Sequence, residues 1–156
     1  LNNQGVVALK KENWHGAFDK FEDALKIDPS YAVARENLAI AHSNYALSLR
    51  TKNSVDSLKH FHQAGYLEPK NAFFSTELRA MIKLMGKNPD SFRDRVALGD
   101  QAKTDGDTVG AVVEYGAALK LKEDRQIHKK LGDEYRLLDD KNKAAAEYAA
   151  AYKDAD

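Results

Sequence analysis

The sequence has no cysteine, so disulfides, thiol catalysis and thiolate metal sites are excluded, and nothing distinguishes cytoplasm from periplasm. It also has no excess of either charge: 24 Lys and Arg are balanced by 24 Asp and Glu. Residues 1–91 carry 12 basic and 10 acidic side chains and residues 92–156 carry 12 and 14. Neither half makes a basic stripe, which argues against nucleic acid or an anionic membrane as the main partner. No apolar run approaches transmembrane length and no secretory signal is visible, so direct membrane insertion is not expected. There is no initiating Met, so a piece of a longer chain is expected, with room for a targeting segment ahead of it. No stretch alternates apolar and polar residues as a half-buried strand would. What remains is helical periodicity broken by short polar connections, about nine helices in all. The fold class expected is all-α.

What is present in place of these features is a repeated spacing. Four times a small residue, an aromatic one and a second small one fall at i, i+4 and i+7: Ala17-Phe21-Ala24, Ser57-Phe61-Ala64, Ala111-Tyr115-Ala118 and Ala144-Tyr148-Ala151. Helical geometry puts these on one stripe. A further small residue lies upstream of each: Gly5, Gly99 and Gly132 at twelve residues, Ala39 at eighteen. Small residues let a neighbouring helix approach closely, and the ring fills the space between. A generic amphipathic bundle would also space apolar residues in this way, but it does not require small and aromatic residues in a fixed order.

The pattern resembles the tetratricopeptide repeat (TPR) family. The stretch from Leu1 to Pro29 carries it almost unbroken, and Arg95 to Asp124 lacks only the closing proline. The resemblance implies an alpha-alpha superhelix, a right-handed solenoid of helical hairpins. It divides the chain into two repeats over 1–71, a single bridging helix over 72–91 and two repeats over 92–156, together one continuous solenoid domain.

Punctuation agrees with this frame. Asn13 is placed to cap a helix beginning near Trp14, and Asp28-Pro29-Ser30 ends that helix. Asp105-Gly106-Asp107 reads as a tight turn, with Gly permitting positive φ and Asp107 capping the next helix. Two departures stand out. The second repeat runs 40 residues from Pro29 to Pro69, against about 34 for the family. Its extra residues come after His42, and the expectation is a first helix overhanging its partner by about one to two turns. Between repeats two and three, Ser57 to Ala111 spans 54 residues, which leaves the Ala72–Ser91 helix without a hairpin partner. It reads either as a bridge or, through Phe73, Phe74, Met81 and Met85, as an adaptable ligand surface.

Residues of catalytic type form no constellation. His60 and His62 lie two apart and point about 200° from one another on a helix, so they cannot share one ion. His15, His42 and His128 are scattered singly. Asp105/Asp107 and Asp139/Asp140 coincide with turns, and the segment around Gly99 lacks the Lys-Ser/Thr of a phosphate loop. The expectation is a non-enzyme with no metal and no cofactor.

The resemblance implies instead that a peptide lies along the wall made by the first helix of each hairpin, with an Asn reaching the ligand backbone. Asn3 and Asn37 match that place, each two residues before Gly5 or Ala39. Val6 and Leu9, then Val33, Glu36 and Ile40, share the wall. Its later part changes character, with Arg93, Val96, Asp100 and Lys103, then Lys129, Asp133 and Arg136. Family members that grip a C-terminal carboxylate use Lys, Arg and Asn side chains. Here Asn2, Phe73 and Glu77 stand where basic residues belong and Val6 where a second Asn belongs, so an internal, partly apolar segment or helix is expected as ligand. The function expected is a protein- or peptide-binding adaptor. The second reading is a structural solenoid that self-associates as a homo-oligomer or packs on the rest of a longer chain. An RNA-binding helical repeat would need a basic groove, which the charge balance does not provide.

Overall fold

The computed structural model describes residues 1–153. They form helices α1 (Asn2–Lys10), α2 (Trp14–Ile27), α3 (Ala32–Leu49), α4 (Ser54–Leu67), α5 (Ala72–Leu84), α6 (Phe92–Thr104), α7 (Thr108–Leu121), α8 (Arg125–Leu137) and α9 (Lys141–Ala151), with no strand among the described residues. The fold is all-α. The chain divides into two compact units, Leu1–Met81 and Ile82–Asp156, and the division falls within α5.

Three hairpins are joined by the same turn, for a reason visible in the backbone. Seven residues after Gly5, Gly99 and Gly132 stand Glu12, Gly106 and Asp139, all with positive φ (57°, 75° and 59°). The next residue donates its N–H back to the carbonyl five residues earlier: Asn13 to Ala8 at 2.9 Å, Asp107 to Ala102 at 2.8 Å and Asp140 to Tyr135 at 3.0 Å. That is the pattern in which a left-handed residue closes a helix and satisfies its last carbonyls. The same Asn13, Asp107 and Asp140 then cap the following helix, accepting from the N–H of Gly16, Gly110 and Lys143 at 3.1, 3.0 and 3.1 Å. One residue thus ends one helix and starts the next, which fixes the antiparallel hairpin.

The landmark residues form the hairpin cores. Phe21 and Tyr115 are fully buried. A Cβ on Gly5 would lie 2.5 Å from the Phe21 ring, and one on Gly99 would lie 2.5 Å from Tyr115. Gly132 meets Tyr148 in the same way, at 2.8 Å. These positions admit only glycine unless the ring moves. In the first unit Phe18, Phe21, Leu38 and Ala41 form one core with Ala17, and Ala39, Ala64 and Phe74 a second.

The lengthened repeat differs from the expected overhang. α3 has 18 residues, but α4 starts directly after the turn, with the Asn53 N–H bonded to the Leu49 carbonyl at 2.8 Å. The Ser57 hydroxyl donates to the Ala46 carbonyl at 2.7 Å. The added turns are therefore covered by α4 itself, and Leu47 and Leu49 are half-buried rather than projecting.

Candidate protein-binding wall of the first unit

The first helices of the two hairpins in this unit, α1 and α3, meet through Asn2 and Asn37: the Asn37 side-chain amide donates to the Asn2 side-chain oxygen at 3.1 Å. Of the six wall residues, Asn3 and Val33 are exposed, whereas Val6, Leu9, Asn37 and Ile40 are half-buried. Val6 and Leu9 pack on the Phe18–Phe21 core and Ile40 on the Ala39–Phe74 cluster. The aliphatic residues thus split their surface between the core and solvent. Asn37 already has one side-chain partner, the neighbouring Asn2, and no spacing along the chain singles out Asn2 as its companion.

Asn3 also lines a separate open cleft of about 370 Å³ with Leu1, Asn2, Ala24, Ile27, Asp28 and Tyr31. The Asp28 carboxylate there accepts from the Ser30 hydroxyl at 2.6 Å and the Ser30 N–H at 3.0 Å. These bonds hold its carboxyl below the ordinary range, the hydroxyl contributing more than the N–H. Asn3 therefore faces toward the α2–α3 connection as well as lying on the helix that carries Val6 and Leu9.

Equivalent positions in the second unit have a different chemistry. Where Val6 follows Gly5, Asp100 follows Gly99 and Asp133 follows Gly132. The Tyr115 hydroxyl donates to Asp100 at 2.5 Å, and the Tyr148 hydroxyl to Asp133 at 2.6 Å. Lys130 adds a bond to Asp100 at 2.9 Å, and Lys129 one to Asp133 at 3.2 Å. Burial acts to raise the Asp100 carboxyl, but the bonds from Tyr115 and Lys130 outweigh it and leave it lowered. Tyr115 is raised by burial and then by its bond to Asp100.

A second recurrent pair joins the same helices. Arg95 donates to Glu114 at 3.0 Å with both side chains almost wholly buried, and its Nε donates to the Pro89 carbonyl at 2.8 Å. One repeat later His128 and Glu147 occupy the same places at 2.6 Å, and the other His128 nitrogen meets Glu123 at 2.8 Å. Burial lowers the His128 imidazole, but Glu147 and then Glu123 prevail and raise it. The separation of 19 residues in both pairs was the signal available in the sequence. Glu134 is buried with one carboxylate oxygen lacking a hydrogen-bond partner. Burial raises its carboxyl, against the charge of Lys103.

The histidines are less scattered than their spacing suggested. His42 of α3 and His60 of α4 face each other with their Nδ1 atoms 2.9 Å apart. Phe18 stacks on His42 at 4.2 Å between centroids and on His60 at 5.5 Å. Tyr45 meets His60 edge-on at 4.6 Å and His15 at 5.4 Å. These rings are brought together by the added turns of α3, which carry Tyr45. Among the described residues no group of three or more His, Cys, Asp or Glu side chains is placed to hold a metal ion, and no helix is long and apolar enough to cross a membrane.

A hairpin in which a helix glycine seats the aromatic ring of the next helix, flanked by small residues one turn either side, occurs three times here at one spacing. These hairpins resemble those of the tetratricopeptide repeat family. No family model matches the sequence, and no curated protein matches it. Among solved structures the chain is similar to MamA, with 15% identity, 96% of this chain and 92% of that chain covered, and a TM-score of 0.42. It is also similar to a thermophilic TPR protein of Thermus thermophilus, with 19% identity, 99% and 89% coverage and a TM-score of 0.42. The ring contacts, rather than these likenesses, carry that resemblance.

Proposed function

We propose that this chain is a non-catalytic protein-binding adaptor whose first unit holds an internal, partly apolar segment of a partner along α1 and α3. The observation that carries the reading is the composition of that wall. Val33 is exposed, Val6, Leu9 and Ile40 are partly so, and the amides of Asn3 and Asn37 are interspersed among them. Apolar surface with a few convergent amides suits a backbone held by hydrogen bonds between side-chain contacts. Asn37 exchanges its bond to Asn2 for the ligand backbone, so its contribution is a difference between two amide bonds.

The second unit does not offer the same surface. Its corresponding carboxylates are already engaged by Tyr and Lys, and a ligand there would have to displace those bonds. A partner's C-terminal carboxylate is an unsuitable ligand for the first unit, because Phe73 and Glu77 would desolvate or repel it without supplying a cation. The test is a fishing experiment followed by a chemical one. A pulldown with masses identified gives the partner segment, and a peptide of that segment is then titrated against wild type and Asn37→Ala. Weakening of about fivefold or more by Asn37→Ala, no change on C-terminal amidation and little salt dependence are expected. Equal binding by both proteins, or a tenfold loss on amidation, would overturn the reading.

A further inference from the structure

We propose that the His42–His60 contact makes the α3–α4 hairpin an acid-sensitive joint, closed while only one of the two facing nitrogens carries a proton and loosened when both do. The geometry requires this asymmetry. Two imidazole Nδ1 atoms 2.9 Å apart form one hydrogen bond, in which one nitrogen donates and the other accepts. A second proton turns the acceptor into a donor, so that two N–H groups point at each other inside the hairpin. Neither ring can swing away at low cost. His42 is 5% exposed, and Phe18 lies parallel to it at 4.2 Å with an interplanar angle of 16°. His60 is held between the same Phe18 ring and the edge of Tyr45.

Of the titratable groups, His60 of α4 faces His42 directly, whereas His15 of α2 and Tyr45 of α3 lie one ring further out, each against Phe18 and against one another. Burial first, and the charge of His60 second, push the His42 imidazole down to about 3. In the unfolded or opened chain the same ring takes its proton near its ordinary value, about 6.5. The folded state therefore binds fewer protons than the opened one between these values. Stability of the hairpin is fully present above about pH 6.5 and falls as the pH drops, by roughly tenfold in the opening constant per pH unit. α3 also carries Asn37 and Ile40, so on the reading given under Proposed function the joint would release ligand in mild acid. Only this release depends on that reading; the joint itself does not.

The test uses the free full chain and needs no ligand. Amide hydrogen exchange is followed from about pH 7.5 to about pH 5 and corrected for the intrinsic pH dependence of exchange. Protection along residues 42–49 and 54–61 should fall roughly tenfold per pH unit below about 6.5, whereas α8 and α9, joined by His128 and Glu147, should not lose protection. His42→Phe keeps a ring stacked on Phe18 and removes the proton, and should abolish the pH dependence. A ring titration by NMR on wild type serves if that variant does not fold: His42 should stay neutral to well below its ordinary value. Unchanged protection between the two pH values would overturn the proposal. So would a His42 ring that titrates near about 6.5 with the hairpin intact.

Discussion

The two units solve one packing problem with two chemistries. In the first, Gly5 seats Phe21 and is followed by Val6. In the second, Gly99 and Gly132 seat Tyr115 and Tyr148 and are followed by Asp100 and Asp133. The tyrosine hydroxyl needs an acceptor at the edge of the hairpin, and the Asp one residue beyond the glycine supplies it. Phenylalanine makes no such demand, so the wall position beside it is free to be apolar. The identity of the seated ring thereby sets the polarity of the residue after the glycine, Val6 in the first unit and Asp100 and Asp133 in the second.

The histidines show the same division. In the first unit a neutral pair is buried among rings, whereas in the second His128 sits between two carboxylates. Acid loosens the one and favours the other.

The largest test of the comparison removes one half of the buried Arg95–Glu114 pair. Glu114→Ala leaves a guanidinium in a site 7% exposed and should cost about 3–5 kcal/mol. Glu147→Ala, at the equivalent place beside the more accessible His128, should cost much less. Denaturant melts showing equal losses would mean that burial does not separate the two pairs.

Truncating the rings comes next. Phe21→Ala and Tyr115→Ala should each cost about 3 kcal/mol or more through lost packing and the cavity left. Unchanged thermal midpoints in both would remove the basis for the hairpin assignment.

The coupling between ring and wall can be transplanted. Phe21→Tyr alone buries a hydroxyl with no acceptor and should destabilise by about 1–3 kcal/mol. Adding Val6→Asp should recover much of that loss, as Asp100 does for Tyr115. A double-mutant cycle with strictly additive terms would refute the coupling.

His128 gives the pH counterpart. Its imidazole is raised above its ordinary value in the folded state, so its contribution is complete below about pH 6.5 and is lost as the pH rises through the folded value. His128→Gln should flatten the dependence of stability on pH above neutrality while leaving the first unit's acid response in place.

The smallest effect concerns the turns. Glu12 and Asp139 occupy the left-handed conformation that Gly106 fills at the third equivalent site. Glu12→Gly and Asp139→Gly should raise stability by up to about 1 kcal/mol, offset in part by the greater entropy of glycine in the unfolded chain. A melting midpoint that falls in both would show that their side chains contribute contacts beyond backbone strain.

The sequence by itself determined the helices, most of their boundaries and the hairpin cores, although the helix expected over Ala72–Ser91 ends at Leu84. These depend on spacing along the chain: the seating of Phe21 on Gly5 comes from a fixed offset, and Asn13 and Asp107 cap helices through bonds three residues away. It did not show that Glu12 and Asp139 act as glycine does at Gly106, because Glu does not signal positive φ and Asp does so only weakly. Nor did it show that Asn37 is bonded to Asn2, that His42 meets His60, or that the added turns of α3 lie along α4. Those contacts join residues 35, 18 and 11 positions apart, and such offsets carry no meaning until the helices are packed. Spacing along one helix is set by covalent geometry, which the sequence carries. Which side chains of two helices face one another is set by their rotation and axial shift, and only the tertiary structure decided that.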